Sequence, residues 1–174
     1  MDAEDQYCRD EAVIPAPPAQ VWEALTDLST WAQWWTLVDV VPLGGTALAP
    51  GVRFRFEGQR AGRPPTVWTV EVLEAEPMRR IELAYVEGDL VGRAAWELEA
   101  VDGGTNAAYV YRGVHATSEA SNETFVRYGT RVHSVAMHVD ALEGLVRYVR
   151  GEPLDDAWRV TVRERMSAGV AALD

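Results

Sequence analysis

The stretch that decides the fold is NETFVRYGTRVHSVAMHVDALEGLVRYVR, which spans residues 122–150. Its apolar residues recur in alternating steps of three and four, the spacing that places side chains on one stripe of an α-helix. Charged residues between them, among them Asp140 and Glu143, are expected to face solvent. Gly151 and Pro153 are expected to end the helix. The stripe consists of Phe125, Tyr128, Val132, Val135, Val139, Leu142, Val146 and Val149.

The segment before this helix supplies an apolar partner for the stripe. Most of residues 50–117 alternates apolar and polar side chains, as half-buried strands do. Gly92 and Gly113 fall inside strands, where glycine marks bends that let a sheet curl around a helix. Asp102-Gly103-Gly104 is the clearest hairpin turn. After a first strand over Tyr7–Ile14, the predicted strands are 37–43, 51–58, 66–74, 80–87, 90–101 and 106–116.

Two short helices are predicted after the first strand. Pro18 suits the first position of a helix, and Asp27 ends that helix and caps a second one, which runs from Leu28 to Trp35. The fold class is therefore α+β, with a curved antiparallel sheet of six to seven strands around a long C-terminal helix.

The segment after Pro153 shows a second helical pattern. Leu154, Trp158, Val162 and Met166 are spaced by four, which favours an amphipathic helix with Asp155 or Asp156 as its cap. A strand through Trp158, Val160 and Val162 is the alternative. The helix is preferred because the residues that follow are strong helix formers.

Composition excludes several classes of function. The chain has 174 residues and a net charge of −11, and such a surface repels nucleic acid and anionic membranes. No apolar run approaches the ~20 residues of a membrane span, and the acidic N-terminus lacks a signal core, so we expect a cytoplasmic protein. Cys8 is the only cysteine, which excludes an internal disulfide and a cysteine-based metal cluster.

The order of these motifs resembles the START-related superfamily, also called SRPBCC, and within it the polyketide cyclase/dehydrase group. The resemblance covers residues 7–151 and implies a helix-grip fold with a deep apolar cavity between sheet and helix. We expect residues 1–151 to form a ligand-binding domain and residues 152–174 a helical extension of it that lies outside the usual pattern. The resemblance rests on Ile14-Pro15-Ala16-Pro17, Val21–Asp27, Trp31, Trp34, Trp35, Glu71–Glu74 and Trp96–Glu99 before Asp102–Thr105.

The inward face of the sheet is the candidate binding surface. Alternation predicts that Tyr85, Tyr109, Tyr111 and His115 face the helix, and each carries a polar atom that needs a partner when it is buried. This favours a wet or ligand-filled cavity, although a fully packed core stays an alternative for the phenylalanines and Trp96. The predicted ligand-binding residues are Trp35, Phe54, Phe56, Trp68, Tyr85, Trp96, Val135, His138, Val139 and Leu142.

A cofactor-free reaction is the candidate chemistry. Tyr111 and His115 lie four residues apart on one strand, about 13 Å along it. His115 is predicted to act as general acid/base, with Tyr111 and Tyr109 orienting the substrate and holding an enolate oxygen. This set suits aldol cyclisation followed by dehydration; a structural histidine is the alternative. His133 is predicted to point away from the stripe, and we expect neither a metal nor a cofactor.

The sequence is compatible with three functions. The first is a cyclase or dehydratase that acts on a hydrophobic, oxygenated, polyketide-like substrate. The second is a carrier or sensor that binds a lipid, quinone or aromatic molecule unchanged. The third is an interaction module that docks through its last helix. The expected partner is a hydrophobic small molecule, with a homodimer through the last helix as a further option and no role for nucleic acid or membrane.

Overall fold

The structure of the protein is a computed structural model, which describes residues 6–58, 64–118 and 129–173. Seven antiparallel strands form one curled sheet in the order β1-β7-β6-β5-β4-β3-β2. All neighbours except β1 and β7 are consecutive in sequence, as the short predicted turns require. The strands are β1 Tyr7–Ile14, β2 Val38–Pro42, β3 Arg53–Gly58, β4 Thr66–Glu76, β5 Arg80–Gly88, β6 Leu90–Val101 and β7 Gly104–Ala116.

The two short helices after β1 are confirmed as α1 Pro18–Thr26 and α2 Leu28–Trp34. Pro18 occupies the first turn of α1, where a missing backbone N–H costs little. Asp27 separates the helices, and its Oδ1 accepts a hydrogen bond of 2.9 Å from the Ser29 backbone N–H. This contact caps α2 as predicted.

The long helix consists of three consecutive segments: α3 Thr130–Ala136, a π-helical turn over Met137–Ala141, and α4 Leu142–Arg150. We call all three together the grip helix. It ends at Gly151, which adopts the left-handed conformation with φ 66°, as predicted. The predicted first turns, with Phe125 and Tyr128, lie outside the described residues.

The buried face of the grip helix differs from the predicted stripe. The fully buried residues after Ala136 are Met137, Asp140, Ala141, Leu142, Gly144 and Leu145, whereas Val139, Val146 and Val149 are only half-buried. The prediction that Asp140 faces solvent is wrong, because its side chain is 0% exposed. The π-turn widens the helix by one residue per turn, and this rotates the residues after it relative to an ideal α-helix.

The segment after Pro153 forms helix α5, Asp156–Ala171, as predicted. The Asp155 carboxylate caps it by accepting a hydrogen bond of 3.1 Å from the Trp158 backbone N–H. Trp158 and Val162 are buried, and the Arg147 guanidinium lies 4.4 Å from the centre of the Trp158 ring. The apolar face of α5 is therefore covered within the chain.

The alternation of β7 breaks near its end. Tyr109 and Tyr111 belong to the core beneath the grip helix, but the next core residue is Val114. Gly113 has φ 60° and lies opposite Gly92, where the β6–β7 register shifts. This bulge inserts one residue, so the prediction that His115 shares the tyrosine face is wrong.

The core is densely packed at the end of the sheet near α2. Trp31, Trp34, Phe54 and Phe56 are almost fully buried. The ring centroid of Trp31 lies 5.5 Å from that of Trp34 and 5.7 Å from that of Phe54. At this end, the side chains of described residues fill the space in which the cavity was expected.

Candidate functional site

Three tyrosines line the inner face of β5 and β7. Tyr85, Tyr109 and Tyr111 are all buried, and the hydroxyl oxygens of Tyr85 and Tyr109 are 2.5 Å apart. The Tyr111 side chain is 1% exposed, and its hydroxyl has no hydrogen-bond partner among the described residues. We call these three residues the tyrosine group. Together they present hydroxyl groups inside an apolar surface.

Two tryptophans extend the tyrosine group with indole N–H donors. The ring centroid of Trp96 lies 4.9 Å from that of Tyr109, and the Trp68 centroid lies 5.9 Å from that of Tyr85. The Nε1 atoms of both tryptophans are buried and make no hydrogen bond of normal geometry with a described residue. A buried donor without an acceptor is costly, so this surface suits a molecule that carries oxygen atoms.

Burial keeps the tyrosine hydroxyls protonated. It raises the pKa of Tyr85 to about 12, although the nearby Tyr109 hydroxyl and Trp68 indole oppose the rise. Burial also raises the pKa of Tyr109 well above its usual value, and the contact with Tyr85 adds to the rise. The pKa of Tyr111 is raised chiefly by burial as well. At neutral pH these groups are therefore hydrogen-bond donors, which can stabilise a developing negative charge on a bound oxygen atom.

His133 in α3 adjoins the tyrosine group, contrary to prediction. Its ring centroid lies 4.6 Å from that of Tyr111, edge-on, and 5.7 Å from that of Tyr109, stacked. Its Nδ1 is 3.2 Å from Oδ2 of Asp10, a β1 residue whose side chain is 2% exposed. The prediction failed because the grip helix does not bury the predicted stripe: Met137 and Asp140, four and seven residues after His133, are buried, whereas Val135 and Val139 are only half-buried.

Asp10 accepts several hydrogen bonds, and it was not identified from the sequence as a residue of the site. Cys8 Sγ lies 3.1 Å from its Oδ2, and the Ser134 hydroxyl donates to its Oδ1. Burial raises the pKa of Asp10, but hydrogen bonds from His133, Ser134 and Cys8 outweigh this and lower it overall. The sequence did contain a sign of it: Asp10 alternates with Ala12 and Ile14 along β1, so its carboxylate lies on the same face of the strand as these apolar residues.

The Cys8 thiol is half-buried and stays protonated at neutral pH. Burial, and then the hydrogen bond and negative charge of Asp10, raise the pKa of Cys8 to about 12. A thiol in this state is a poor nucleophile. These surroundings therefore favour an inert Cys8 thiol over a nucleophile.

The other two histidines lie away from the tyrosine group. His115 Nδ1 is 2.9 Å from the Gly113 carbonyl oxygen, on the strand face opposite Val114. The His138 side chain is 53% exposed, with its Nε2 3.4 Å from Oδ1 of Asp10. The structure thus brings together Tyr109, Tyr111 and His133, and separates His115 from them. The catalytic role of His115 stays a prediction.

The predicted ligand-binding residues fall into two groups. Tyr85 belongs to the tyrosine group, and Trp35, Trp68 and Trp96 have ring contacts with it. Phe54, Phe56 and Leu142 belong to the packed core. Val135 and Val139 are half-buried. A Cβ on Gly169 of α5 would lie 2.5 Å from Val135 Cγ1, so Val135 packs against α5. Direct ligand contact by these residues stays a prediction.

Asp140 is a second buried carboxylate that periodicity did not identify. Its Oδ2 accepts hydrogen bonds of 2.8 and 2.7 Å from the backbone N–H groups of Thr36 and Leu37. Burial raises the pKa of Asp140, and these hydrogen bonds partly counteract the rise. The contact ties the π-turn to the chain that follows α2, which holds the grip helix against the sheet.

A cleft of about 410 Å³ opens elsewhere, on the outer surface between α2, α4 and α5. Its lining includes Gln33, Tyr148, Leu154 and Arg159. It is separate from the tyrosine group. Within the described ranges, no helix is long and apolar enough to cross a membrane.

Solved structures share this fold at low sequence identity. TTHA0849 from Thermus thermophilus is 20% identical, with a TM-score of 0.70 over 84% of this chain and 98% of that one. A protein from Rhodobacter sphaeroides is 19% identical, with a TM-score of 0.63 over 83% of this chain and 92% of its own. These likenesses show the helix-grip fold alone.

DynU16, a protein in the dynemicin biosynthetic locus, is also similar in structure. It is 21% identical, with a TM-score of 0.59 over 86% of this chain and 49% of DynU16. The comparison with curated proteins found no match.

The family comparison covers nearly the whole chain. The model described as "Polyketide cyclase / dehydrase and lipid transport" matches residues 8–173. The match includes α5, so the segment after Pro153, which the sequence analysis left outside the resemblance, lies within the family pattern. By this match, and with the curled sheet and grip helix that the sequence predicted, the chain belongs to the SRPBCC-type polyketide cyclase/dehydrase and lipid transport family.

Proposed function

We propose that the protein binds a hydrophobic, oxygenated small molecule, aromatic or polyketide-like, against the tyrosine group beside His133. The observation that carries the proposal is the Tyr111 hydroxyl, which is buried and has no partner among the described residues. A phenylalanine would avoid the cost of burying a polar atom at this position. The hydroxyl is therefore explained best by a ligand oxygen.

The surroundings of Tyr111 define the kind of ligand. The rings of Trp68, Trp96 and His133 lie next to the tyrosine group, and such an aromatic environment favours an aromatic or planar conjugated molecule. Tyr85 and Tyr109 share one hydrogen bond, so together they retain a hydroxyl hydrogen for a second oxygen. An oxygenated ring system satisfies both requirements, whereas a saturated hydrocarbon chain satisfies neither.

Cyclisation followed by dehydration is the reaction that this surface supports. Neutral tyrosine hydroxyls would donate to the enolate oxygen that forms when a methylene group next to a carbonyl loses its proton. The imidazole closest to these hydroxyls is His133, and its Nδ1 is oriented by Asp10. We propose His133 as the acid/base candidate of the metal-free protein and retain His115 as the alternative.

A carrier or sensor function is the second candidate. The family description includes lipid transport, and binding without reaction would need only the tyrosine group and its apolar surroundings. An interaction module is the weakest candidate, because Trp158 and Val162 of α5 are buried within the chain.

The binding proposal is tested with a matched pair of probes and a matched pair of proteins. Protein-observed NMR titration with 2-naphthol and with naphthalene compares a hydroxylated ring with its parent hydrocarbon. We expect 2-naphthol to bind more tightly and to shift amide signals of β7 and α3. In Tyr111→Phe this preference should decrease about tenfold, the loss of one buried hydrogen bond, while the protein becomes no less stable.

Two results would contradict binding at this surface. One is equal affinity of wild type and Tyr111→Phe for 2-naphthol, and the other is signal shifts confined to the outer cleft near Tyr148. Catalysis is tested separately by comparing His133→Gln with His115→Gln, using product formation from a diketone-containing aromatic precursor. Loss of product in the first variant alone assigns proton transfer to His133.

A further inference from the structure

Four potential metal-binding side chains meet between β1 and the grip helix. Cys8 and Asp10 come from β1, His133 from α3 and His138 from the π-turn. One ligand atom from each of Cys8, Asp10 and His133 can be chosen so that all three lie within 4.8 Å of one another. His138 Nε2 approaches Asp10 Oδ1 to 3.4 Å. We call these four residues the Asp10 cluster.

Local geometry explains why these residues converge. Cys8 and Asp10 are two residues apart on a strand, so their side chains lie on the same face. His133 and His138 are five residues apart, a spacing that diverges on an α-helix. The π-turn begins at Met137 and widens the helix there, so both imidazoles reach the same carboxylate. Such turns are rare and frequently mark functional sites.

The charge of the cluster is suited to a cation. Asp10 is almost completely buried, and the ion pairs it makes within the described ranges are with His133 and His138. Each contact is an ion pair only with a protonated imidazole, whereas a neutral imidazole donates a hydrogen bond and leaves the negative charge of the carboxylate unbalanced. A divalent ion would supply that positive charge directly and would also accept the sulfur of Cys8 as a ligand.

Two of the distances between possible ligand atoms are close to the edges of a tetrahedral site. Zinc bonds of about 2.0 Å to nitrogen or oxygen and 2.3 Å to sulfur place neighbouring ligand atoms roughly 3.3–3.6 Å apart. Cys8 Sγ lies 3.1 Å, and His133 Nδ1 3.2 Å, from Oδ2 of Asp10. Around an ion, these two distances would lengthen by only a few tenths of an ångström. The Ser134 hydroxyl already orients the Asp10 carboxylate from outside the ligand set.

We propose that the Asp10 cluster binds a divalent transition-metal ion, with Cys8, Asp10 and His133 as ligands and the exposed His138 as the fourth. A set of one sulfur, one oxygen and two imidazole nitrogens matches Zn²⁺ best. Binding replaces the thiol proton of Cys8 and any proton shared by Asp10 and the imidazoles, and these protons pass to solvent. The ion then takes Nδ1 of His133, so the loaded protein would not use that residue for proton transfer.

Cobalt serves as the probe, because Co²⁺ occupies zinc sites and absorbs visible light. The full chain, stripped of metal with a chelator, is titrated with Co²⁺. We expect one equivalent to bind with the strong visible bands of a tetrahedral ion and a near-ultraviolet thiolate-to-cobalt band. Zn²⁺ should displace the cobalt and raise the melting temperature.

Variants locate the ion without any reference to a small-molecule ligand. Cys8→Ser should lose the thiolate-to-cobalt band. Asp10→Asn should bind Co²⁺ at least about tenfold more weakly, because even the loss of a residue that only orients a metal ligand weakens binding by about that factor. Glu11→Gln, a matched loss of charge at the next residue on the outer face, should bind as wild type does. Circular dichroism verifies folding, and Cys8→Ser decides the outcome if Asp10→Asn does not fold.

The proposal is overturned if no thiolate-to-cobalt band forms, or if Cys8→Ser retains it. Equal weakening in Asp10→Asn and Glu11→Gln would also overturn it, because this pattern indicates general attraction of cations to an acidic protein. None of these readouts depends on the tyrosine group. Failure here therefore leaves the proposed small-molecule function untouched.

Discussion

At the scale of single residues, the buried polar groups distinguish this core from a purely structural one. The tyrosine group places hydroxyls in apolar surroundings, and Asp10 and Asp140 place carboxylates there. Asp140 accepts hydrogen bonds from the backbone N–H groups of Thr36 and Leu37 and from the Thr36 hydroxyl, and therefore serves the architecture. Tyr111 has no such partner within the described part of the chain, which is why it is the residue on which a ligand is proposed.

The tyrosine hydroxyls should make the stability of the protein sensitive to alkaline pH. Burial raises the pKa of Tyr85 from 10.0 to about 12. The stability that the protonated Tyr85 hydroxyl contributes to the fold is therefore fully present below pH 10 and is lost as pH rises towards 12. Each such group lowers the free energy of unfolding by about 1.4 kcal/mol per pH unit in that range. Tyr85→Phe should therefore flatten the alkaline decline, as measured by urea unfolding at several pH values. Parallel declines in wild type and variant would contradict this pH dependence.

At the scale of elements, close helix contacts determine how the grip helix lies on the rest of the chain. Gly144 in α4 touches α2, and Gly169 in α5 touches α3. Asp140 adds hydrogen bonds from the π-turn to Thr36 and Leu37, just after α2. These contacts hold α3 near β1, where His133 reaches both Asp10 and the tyrosine rings.

The two glycine contacts should differ in their tolerance of alanine. A Cβ on Gly144 would lie 1.9 Å from the carbonyl oxygen of Trp34, which is backbone and cannot rotate away. Gly144→Ala should destabilise the protein by about 3 kcal/mol and lower the melting temperature by roughly 6–12 °C.

Gly169→Ala is the matched control for this helix contact. Its Cβ would lie 2.5 Å from Val135 Cγ1, a side chain that can rotate. A gain in helix propensity of about 1 kcal/mol offsets part of the crowding. Calorimetry of both variants measures the difference. Equal melting temperatures would show that α4 can move away from α2 at little cost.

At the scale of the whole molecule, α5 closes the side of the grip helix that the sheet does not cover. Trp158 and Val162 of α5 are buried. Arg147 of the grip helix stacks on Trp158, and Glu143 of the grip helix pairs with Arg165 of α5. The grip helix is thus packed on both sides, and the family match also includes α5.

Truncation of Trp158 should reveal how much α5 contributes to the stability of the whole protein. Removing a buried tryptophan side chain costs about 3–5 kcal/mol, so Trp158→Ala should unfold at clearly lower denaturant concentration. Val160 is 49% exposed on the same helix, and Val160→Ala should change stability by less than about 0.5 kcal/mol. Similar midpoints for both variants would mean that α5 contributes little.

Much of the fold could be predicted from sequence because it depends on local periodicity. Strand alternation, the proline at the start of α1, the aspartate between α1 and α2 and the glycine after α4 each act within a few residues. The inward tyrosines were found in the same way. His115 was misplaced by one residue. Gly92 and Gly113 indicated a bend, but the alternation of side chains does not show that the bulge there inserts a residue before His115.

The sequence by itself determined the curled sheet, the grip helix and the aromatic character of the surface between them. Only the tertiary structure decided which polar groups meet there. The π-turn brings His138 to the carboxylate of Asp10, which His133 of α3 also contacts. The buried Asp140 in the same turn is bonded to Leu37, a distant part of the chain. Periodicity describes a regular element by itself, whereas the positions of functional groups in this protein depend on departures from regularity that packing imposes.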